Sequence, residues 1–281
     1  MQRFLTNAML NPLPSVQSLI RPHREADLTG RTIVLTGASS GIGEAVASRL
    51  AAAGARLLLV ARDPERLAAT TDEIQRHGGV ATWFSCDLTD ADDIAALVAE
   101  VDRRWGGPPD VLINNAGRSI RRKAVDAVDR VHDYERTMAL NYFGPVRLTL
   151  ALLPAMRARG GGHIINISTW GTTAGVMPKF SAYHASKSAI AAFGRSLGAE
   201  ERASGITVST LGFPLVRTPM IAPTADYDSA PALSPAQAAE WVLRAIETKP
   251  VELYPVYAGV LRAISTVSPR LADRLVSAAG I

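Results

Sequence analysis

The chain has 281 residues, 47% of them hydrophobic, with a formal net charge of +4 and a single cysteine. That length and apolar share suit one sizeable α/β core rather than a disordered chain. A lone cysteine excludes an intrachain disulfide framework, and arginines scattered without a long basic run give no footing for nucleic acid.

Residues 1–28 read as an N-terminal extension, with a short amphipathic helix over Phe4, Leu5, Met9 and Leu10. The stretch Met1–Ile20 is broken by Asn7, Asn11, Pro12 and Pro14 and lacks the apolar run of a signal peptide. No stretch reaches the roughly 18 apolar residues that a spanning helix needs, so a cytoplasmic protein is expected. Arg31–Gly37 is the first predicted strand, and Gly41–Ala53 the first helix, stopped by Gly54. Arg56–Ala61 is the second strand. Pro64 opens a helix to about His77, ended by Gly78 and Gly79. Val80–Cys86 is the third strand, closing on Asp87, and Asp90 caps a helix to Trp105. Asp110–Asn114 is the fourth strand. A long helical region runs from His132 to Arg159 with Pro145 and Pro154 inside it. Gly162–Ser168 is a strand, Ser181–Ala203 a helix, Ile206–Leu211 a strand, and Ser234 begins a helix to Thr248. Strand alternates with helix over short connections, which predicts one doubly wound parallel sheet with helices on both faces. This Rossmann-like domain is expected over residues 29–252, followed by a helical tail over 253–281.

The stretch Thr36-Gly37-Ala38-Ser39-Ser40-Gly41-Ile42-Gly43 lies between the first strand and the first helix. That is the context in which a glycine-rich loop holds a pyrophosphate against a helix N-terminus. Gly37 allows a sharp turn off the strand, Gly41 clears a side chain from the phosphate's approach, and Gly43 allows close packing of the helix. The second strand bears on the choice of cofactor. Where an acid would bond the ribose of NAD(H), the chain has Ala61, and Arg62 follows. A guanidinium there suits a 2′-phosphate, so NADP(H) is expected, although Arg62 could instead pair with Asp63 or Glu65. Tyr183 and Lys187 share a face of a predicted helix. A neighbouring ammonium lowers a phenol's pKa, which would make Tyr183 a general acid/base. Ser168 ends a strand, at the edge where parallel α/β sheets bind ligands.

With these motifs together the chain resembles the short-chain dehydrogenase/reductase family over about residues 28–250. The glycine loop, with Gly37, Ser39, Ser40, Gly41, Ile42 and Gly43, matches the family's cofactor motif. Asp87, with Leu88 beside it, matches the acid that contacts adenine. Asn114-Asn115-Ala116-Gly117 matches the signature after the fourth strand, and Asn141, Ser168, Tyr183 and Lys187 match the catalytic tetrad. The resemblance implies that Tyr183 exchanges the proton with a carbonyl oxygen and that Ser168 hydrogen-bonds that oxygen. It also implies that Lys187 bonds the nicotinamide ribose and tunes Tyr183, and that Asn141 holds a relay water. Asn115, Ala116, Gly117, Val216 and Thr218 complete the cofactor site. Cys86 is expected to be an inert core residue.

After the sixth strand the family's Pro-Gly pair is replaced by Phe213-Pro214, which leaves the local turn unsettled. Met220 and Ile221 begin the lid segment. With Met177 and Phe180 on the opposite wall they predict an apolar pocket for a small-molecule or lipid-like carbonyl substrate. The segment Phe213–Thr224 and the tail are similar to a subgroup acting on fatty-acyl or 3-oxo-lipid substrates. In the tail, Val256, Val260, Leu261, Ile264, Val267, Leu271 and Leu275 recur at helical spacing, with Arg262, Arg270 and Arg274 between them. The stripe reads as a core or subunit-contact face, with a membrane-surface helix as the alternative. Relatives imply a homodimer or homotetramer. The expected activity is NADPH-dependent reduction of a ketone. A fatty acyl-CoA reductase and a non-catalytic NADP(H)-binding regulator are the alternatives.

Overall fold

The computed structural model describes residues 9–12, 27–222, 224, 227 and 229–278. Of the expected N-terminal helix, Phe4 and Leu5 lie outside the described residues. Leu10 is buried in the main core, and the Asn11 carbonyl accepts a hydrogen bond from Val256 N–H at 3.2 Å.

The strands are β1 (Thr32–Thr36), β2 (Arg56–Ala61), β3 (Val80–Ser85), β4 (Val111–Asn114), β5 (Gly162–Thr169), β6 (Ile206–Phe213) and β7 (Glu252–Leu253). They form one sheet in the order β3-β2-β1-β4-β5-β6-β7, with every pairing parallel. The helices are α1 (Gly41–Ala52), α2 (Pro64–Arg76), α3 (Ala91–Trp105), α4 (Val131–Met138), α5 (Gly144–Arg159), the single turn α6 (Gly171–Ala174), α7 (Ser181–Glu200), α8 (Pro235–Thr248), α9 (Val256–Val267) and α10 (Pro269–Ala278). None of the described helices is long and apolar enough to cross a membrane.

Side chains alternate across the sheet with the strand period of two, and both faces are dry. Ile33, Leu35, Leu57 and Leu59 pack under α1, α2 and α8, against Val46, Leu50, Leu67 and Val242. Val34, Leu58, Leu112 and Ile164 face the other way, against Leu97 of α3, Leu148 and Leu152 of α5 and Leu197 of α7. Both layers of helix are therefore written in the strands as continuous apolar runs.

The caps follow local chemistry. Asp63 accepts from Arg66 N–H, Asp90 from Asp92 and Asp93 N–H, and Ser234 closes a capping box with Gln237. Gly54 follows α1 with φ +88°, a conformation open to glycine at little cost. The long helical region expected over 132–159 is two helices joined by a π turn at Ala139–Phe143. The shift of register puts Pro145 in the first turn of α5, where no N–H is required. Pro154, inside α5, is exposed, so water can serve the carbonyl it leaves free.

Candidate active site

The strands β1, β4, β5 and β6 end along one edge of the sheet, and the glycine loop, the tetrad and the lid segment all open there. The loop is held by its neighbour strand. Asn115 Nδ2 donates to the carbonyls of Thr36 and Gly37 at 2.9 and 3.1 Å, and the N–H groups of Asn115 and Ala116 donate to Thr36 Oγ1. Gly43 sits so close to this turn that a Cβ would lie 2.0 Å from the Gly37 carbonyl oxygen. Its purpose is thus to pack α1 against its own entry loop. A Cβ at Gly41 would meet the Thr218 side chain at 3.1 Å, so the segment after β6 closes over the loop.

Ser40, the residue before α1, has extended backbone and makes no side-chain cap, which leaves the first-turn N–H groups for a ligand. Arg62 is exposed, and its contact is with Asp87 at 4.0 Å rather than with Asp63 or Glu65; Asp63 serves Arg66 instead. Asp87 itself accepts from Thr89 N–H and Oγ1, and Cys86 and Leu88 on either side of it line the cleft. An open helix start, an exposed guanidinium and no acid at Ala61 form a donor set that fits a dinucleotide with a 2′-phosphate. The Cys86 thiol is buried and pushed up to about 12, chiefly by burial, so it is unreactive.

Ser168, Tyr183 and Lys187 line the cleft where β5 ends, whereas Asn141 does not line it and stands behind Gly117. Lys187 is buried and Nζ donates to the Ile167 carbonyl at 2.7 Å; burial alone lowers it to about 8. Ser168 Oγ donates to the Lys187 carbonyl at 3.2 Å. Tyr183 packs edge-on to Phe180, with ring centroids 6.2 Å apart. Its phenol is raised to about 12 by burial, which outweighs the lowering effect of a hydrogen bond with Thr169. The sequence led us to expect a phenol lowered by Lys187. The structure differs because the ammonium is bonded to a backbone carbonyl and desolvation dominates. Asn141 stands in the π turn, its Nδ2 donating to Arg118 O and Ser186 Oγ and its Oδ1 accepting from Arg118 N–H, each at 2.9 Å.

The cleft encloses about 1160 Å³. Met177, Phe180, Met220 and Ile221 all line it, as the sequence suggests, and so do Val216 and Thr218. Met177 is buried against Gly171, where no Cβ fits, whereas Met220 is exposed at the rim. Of the Phe213-Pro214 pair, Phe213 is the last residue of β6, buried beside Trp241 with its carbonyl accepting from Trp170 N–H, and Pro214 lies just past the strand's end. The needed glycine is Gly212, where a Cβ would strike the Tyr254 ring at 1.9 Å. The sequence reading missed Thr169 and the cleft wall made by Tyr257, Leu261, Leu275 and Val276 of α9 and α10. Only the tail's helical stripe hinted at that wall.

A family model described as short chain dehydrogenase matches residues 31–228. A protein from Mycobacterium tuberculosis named fatty acyl-CoA reductase is 47% identical, over 96% of this chain and 92% of its own. Another of that name from Acinetobacter baylyi is 48% identical, over 89% of this chain and 84% of its own. Among solved structures, an actinorhodin polyketide ketoreductase with NADPH is similar with a TM-score of 0.70 at 33% identity, covering 77% of this chain and 90% of that one.

Proposed function

The chain belongs to the short-chain dehydrogenase family, and from that premise we propose that it is an NADPH-dependent reductase that takes a fatty acyl thioester to the aldehyde. The observation that carries this reading is the cleft: a half-buried tyrosine beside a buried lysine and serine on its floor, and an apolar wall extended by the C-terminal helices. The relatives named for acyl-CoA reduction support the substrate class.

Bound along the glycine loop, NADPH would supply the hydride. The side chains do the rest. Tyr183, kept protonated by burial, gives its proton to the carbonyl oxygen as the carbon accepts the hydride. Ser168 turns its one O–H from the Lys187 carbonyl to the same oxygen, and the buried setting strengthens that bond where charge develops. The carbon–sulfur bond then breaks. Tyr183 takes the proton back, the aldehyde forms, and the thiolate takes a proton from water. Lys187 faces Gly117, where a Cβ would stand 3.3 Å from Nζ, a position suited to the cofactor ribose. Asn141, with its amide committed to Arg118 and Ser186, fixes the loop beside that ribose and orders the relay toward Lys187.

The test is NADPH oxidation with hexadecanoyl-CoA, followed by a thiol reagent. The expected result is one thiol released for each cofactor oxidised. Oxidation of NADPH by a 3-oxo-acyl thioester without thiol release would favour reduction of a ketone to a secondary alcohol. The likeness to a ketoreductase supports that second reading. Cofactor binding with no turnover on either would favour a regulator.

Two further parts belong to the proposal. Exposed Phe143 and Leu150 support a homodimer or homotetramer, checked by light scattering of the wild type and Leu150→Arg. Exposed Val260, Val267 and Leu271 beside Arg270 and Arg274 support contact of the tail with an anionic lipid surface, checked by vesicle flotation.

A further inference from the structure

Segments from the two ends of the chain meet beside the cleft. Helix α9 begins after Pro255, whose side chain offers no cap. The Asn11 carbonyl accepts from Val256 N–H at 3.2 Å instead, and so satisfies one of the donors that a helix start leaves unpaired. Asn11 also holds α8, since Trp241 Nε1 donates to its Oδ1 at 3.3 Å. This seam fixes the residues next to it in the chain. Leu10 precedes Asn11 and Tyr257 follows Val256, and both line the cleft.

Leu10 is 8% exposed and shares the main core with Phe213 and Val216, at and just past the end of β6, and with Trp241 of α8. Tyr257 packs on that core and also on the smaller cluster of Trp170, Ala258 and Val276. Leu10 therefore stands near the place where the core of the sheet joins the wall made by the tail. Its neighbours there are apolar, and its own side chain has nothing to offer a phosphate or a ribose hydroxyl. It suits hydrocarbon. Hydrophobic contact has no direction, so an apolar recess measures a chain by where the recess ends.

We propose that Leu10 closes the apolar end of the cleft and sets the longest acyl chain that the cleft accepts. The assignment of that chain to a thioester rests on the acyl thioester reading above; the place of Leu10 on the apolar wall does not.

The test changes the size of this residue in both directions. Leu10→Ala removes three side-chain carbons and Leu10→Phe adds three. The kcat/KM is measured for saturated acyl-CoA substrates from octanoyl to octadecanoyl, below the micelle concentration. Within the cleft each methylene is worth about fourfold, and the gain ends where the chain meets residue 10. The length at which it ends moves up by about two methylenes in Leu10→Ala and down by about two in Leu10→Phe. Should the phenylalanine variant fail to fold, Leu10→Met, longer and adaptable, takes its place with the same direction of shift. A leucine that only packs the core lowers thermal stability without moving the length, and that result overturns the proposal. A shift of both variants in one direction also overturns it. NADPH affinity by fluorescence titration stays as in the wild type; a weakened affinity puts Leu10 at the cofactor and overturns the proposal.

Binding reads the same feature without turnover. Saturated fatty acids of the same lengths displace cis-parinaric acid from NADP⁺-saturated protein, and the length that binds best shifts in the two variants as in the kinetics. Should no acyl thioester be reduced, the thioester reading falls and displacement alone decides. Opposite shifts then uphold Leu10 as the end of the cleft. Equal profiles in all the proteins, or no displaceable binding to the wild type, overturn it.

Discussion

Tyr183 is held by opposing influences, and burial wins. With its phenol at about 12, the protonated form dominates at neutral pH, which suits a donor of protons to a reduced carbonyl. Tyr183→Phe removes the proton and keeps the ring against Phe180. Turnover should fall at least ~10²-fold, with NADPH affinity by fluorescence titration unchanged; wild-type turnover would take Tyr183 out of that role. Lys187 sets a pH limb. Burial lowers it to about 8, so its ammonium is present below that pH and lost as pH rises through it. If the charged form serves the cofactor, kcat/KM should decline above about pH 8. A flat profile to pH 10, in a range where the phenol does not ionise, would remove the ammonium from the step. The pairing of Tyr183 with Lys187 was legible from a shared helix face. Where the ammonium bonds was not, because spacing along a helix says nothing of the backbone carbonyl of Ile167 waiting on β5.

Among the elements, the strands were readable from their apolar runs, and the glycine loop from its place between β1 and α1. The partner that holds the loop was less so. Asn115 matched a family signature, but its two bonds to the carbonyls of Thr36 and Gly37 appear only once β4 lies beside β1. Asn115→Ala should weaken NADPH binding by about tenfold through a loosened loop, since a buried hydrogen-bond partner is worth about 1–3 kcal/mol. An unaltered dissociation constant would mean that the loop is rigid without it. The π turn at Asn141 was invisible in the sequence: proline at 145 signals an interruption, but not an extra residue in the turn before it. The end of β2 offers a cleaner test. Ala61→Asp with Arg62→Ala replaces a phosphate-gripping cation by a carboxylate that repels the 2′-phosphate and accepts from ribose hydroxyls. The ratio of kcat/KM for NADPH over NADH should drop below one. A persisting preference for NADPH would move phosphate recognition to Ser39, Ser40 or Arg66, which line the same end.

At the scale of the molecule, alternation of strand and helix was enough to give the parallel sheet, but the destination of the tail was not. The tail's large apolar stripe suggested a packing face, yet the seam that α9 and α10 bury runs through small residues, Ala258 and Ala272, with Val276. Small residues let the two helices close on each other and on Trp170. The larger side chains are left outward, as with Val267 at 88% exposure, or turned to the cleft, as with Leu261. The substrate wall is therefore assembled from the lid segment and the last two helices, elements far apart in the chain. Each methylene buried against such a wall contributes ~0.8 kcal/mol. Four more are worth about 3 kcal/mol, roughly a hundredfold in kcat/KM if fully realised. Catalytic efficiency on a homologous series of acyl thioesters should climb with chain length and then level off. Ile221→Ser with Leu261→Ser places a hydroxymethyl group on each side of the wall. It should flatten the climb while sparing the shortest substrates, because the tetrad is untouched. The measurement is kcat/KM against chain length for both proteins, below the micelle concentration. A wild-type profile that is flat, or best for the shortest member, would confine Ile221 and Leu261 to packing and leave the acyl chain outside the cleft.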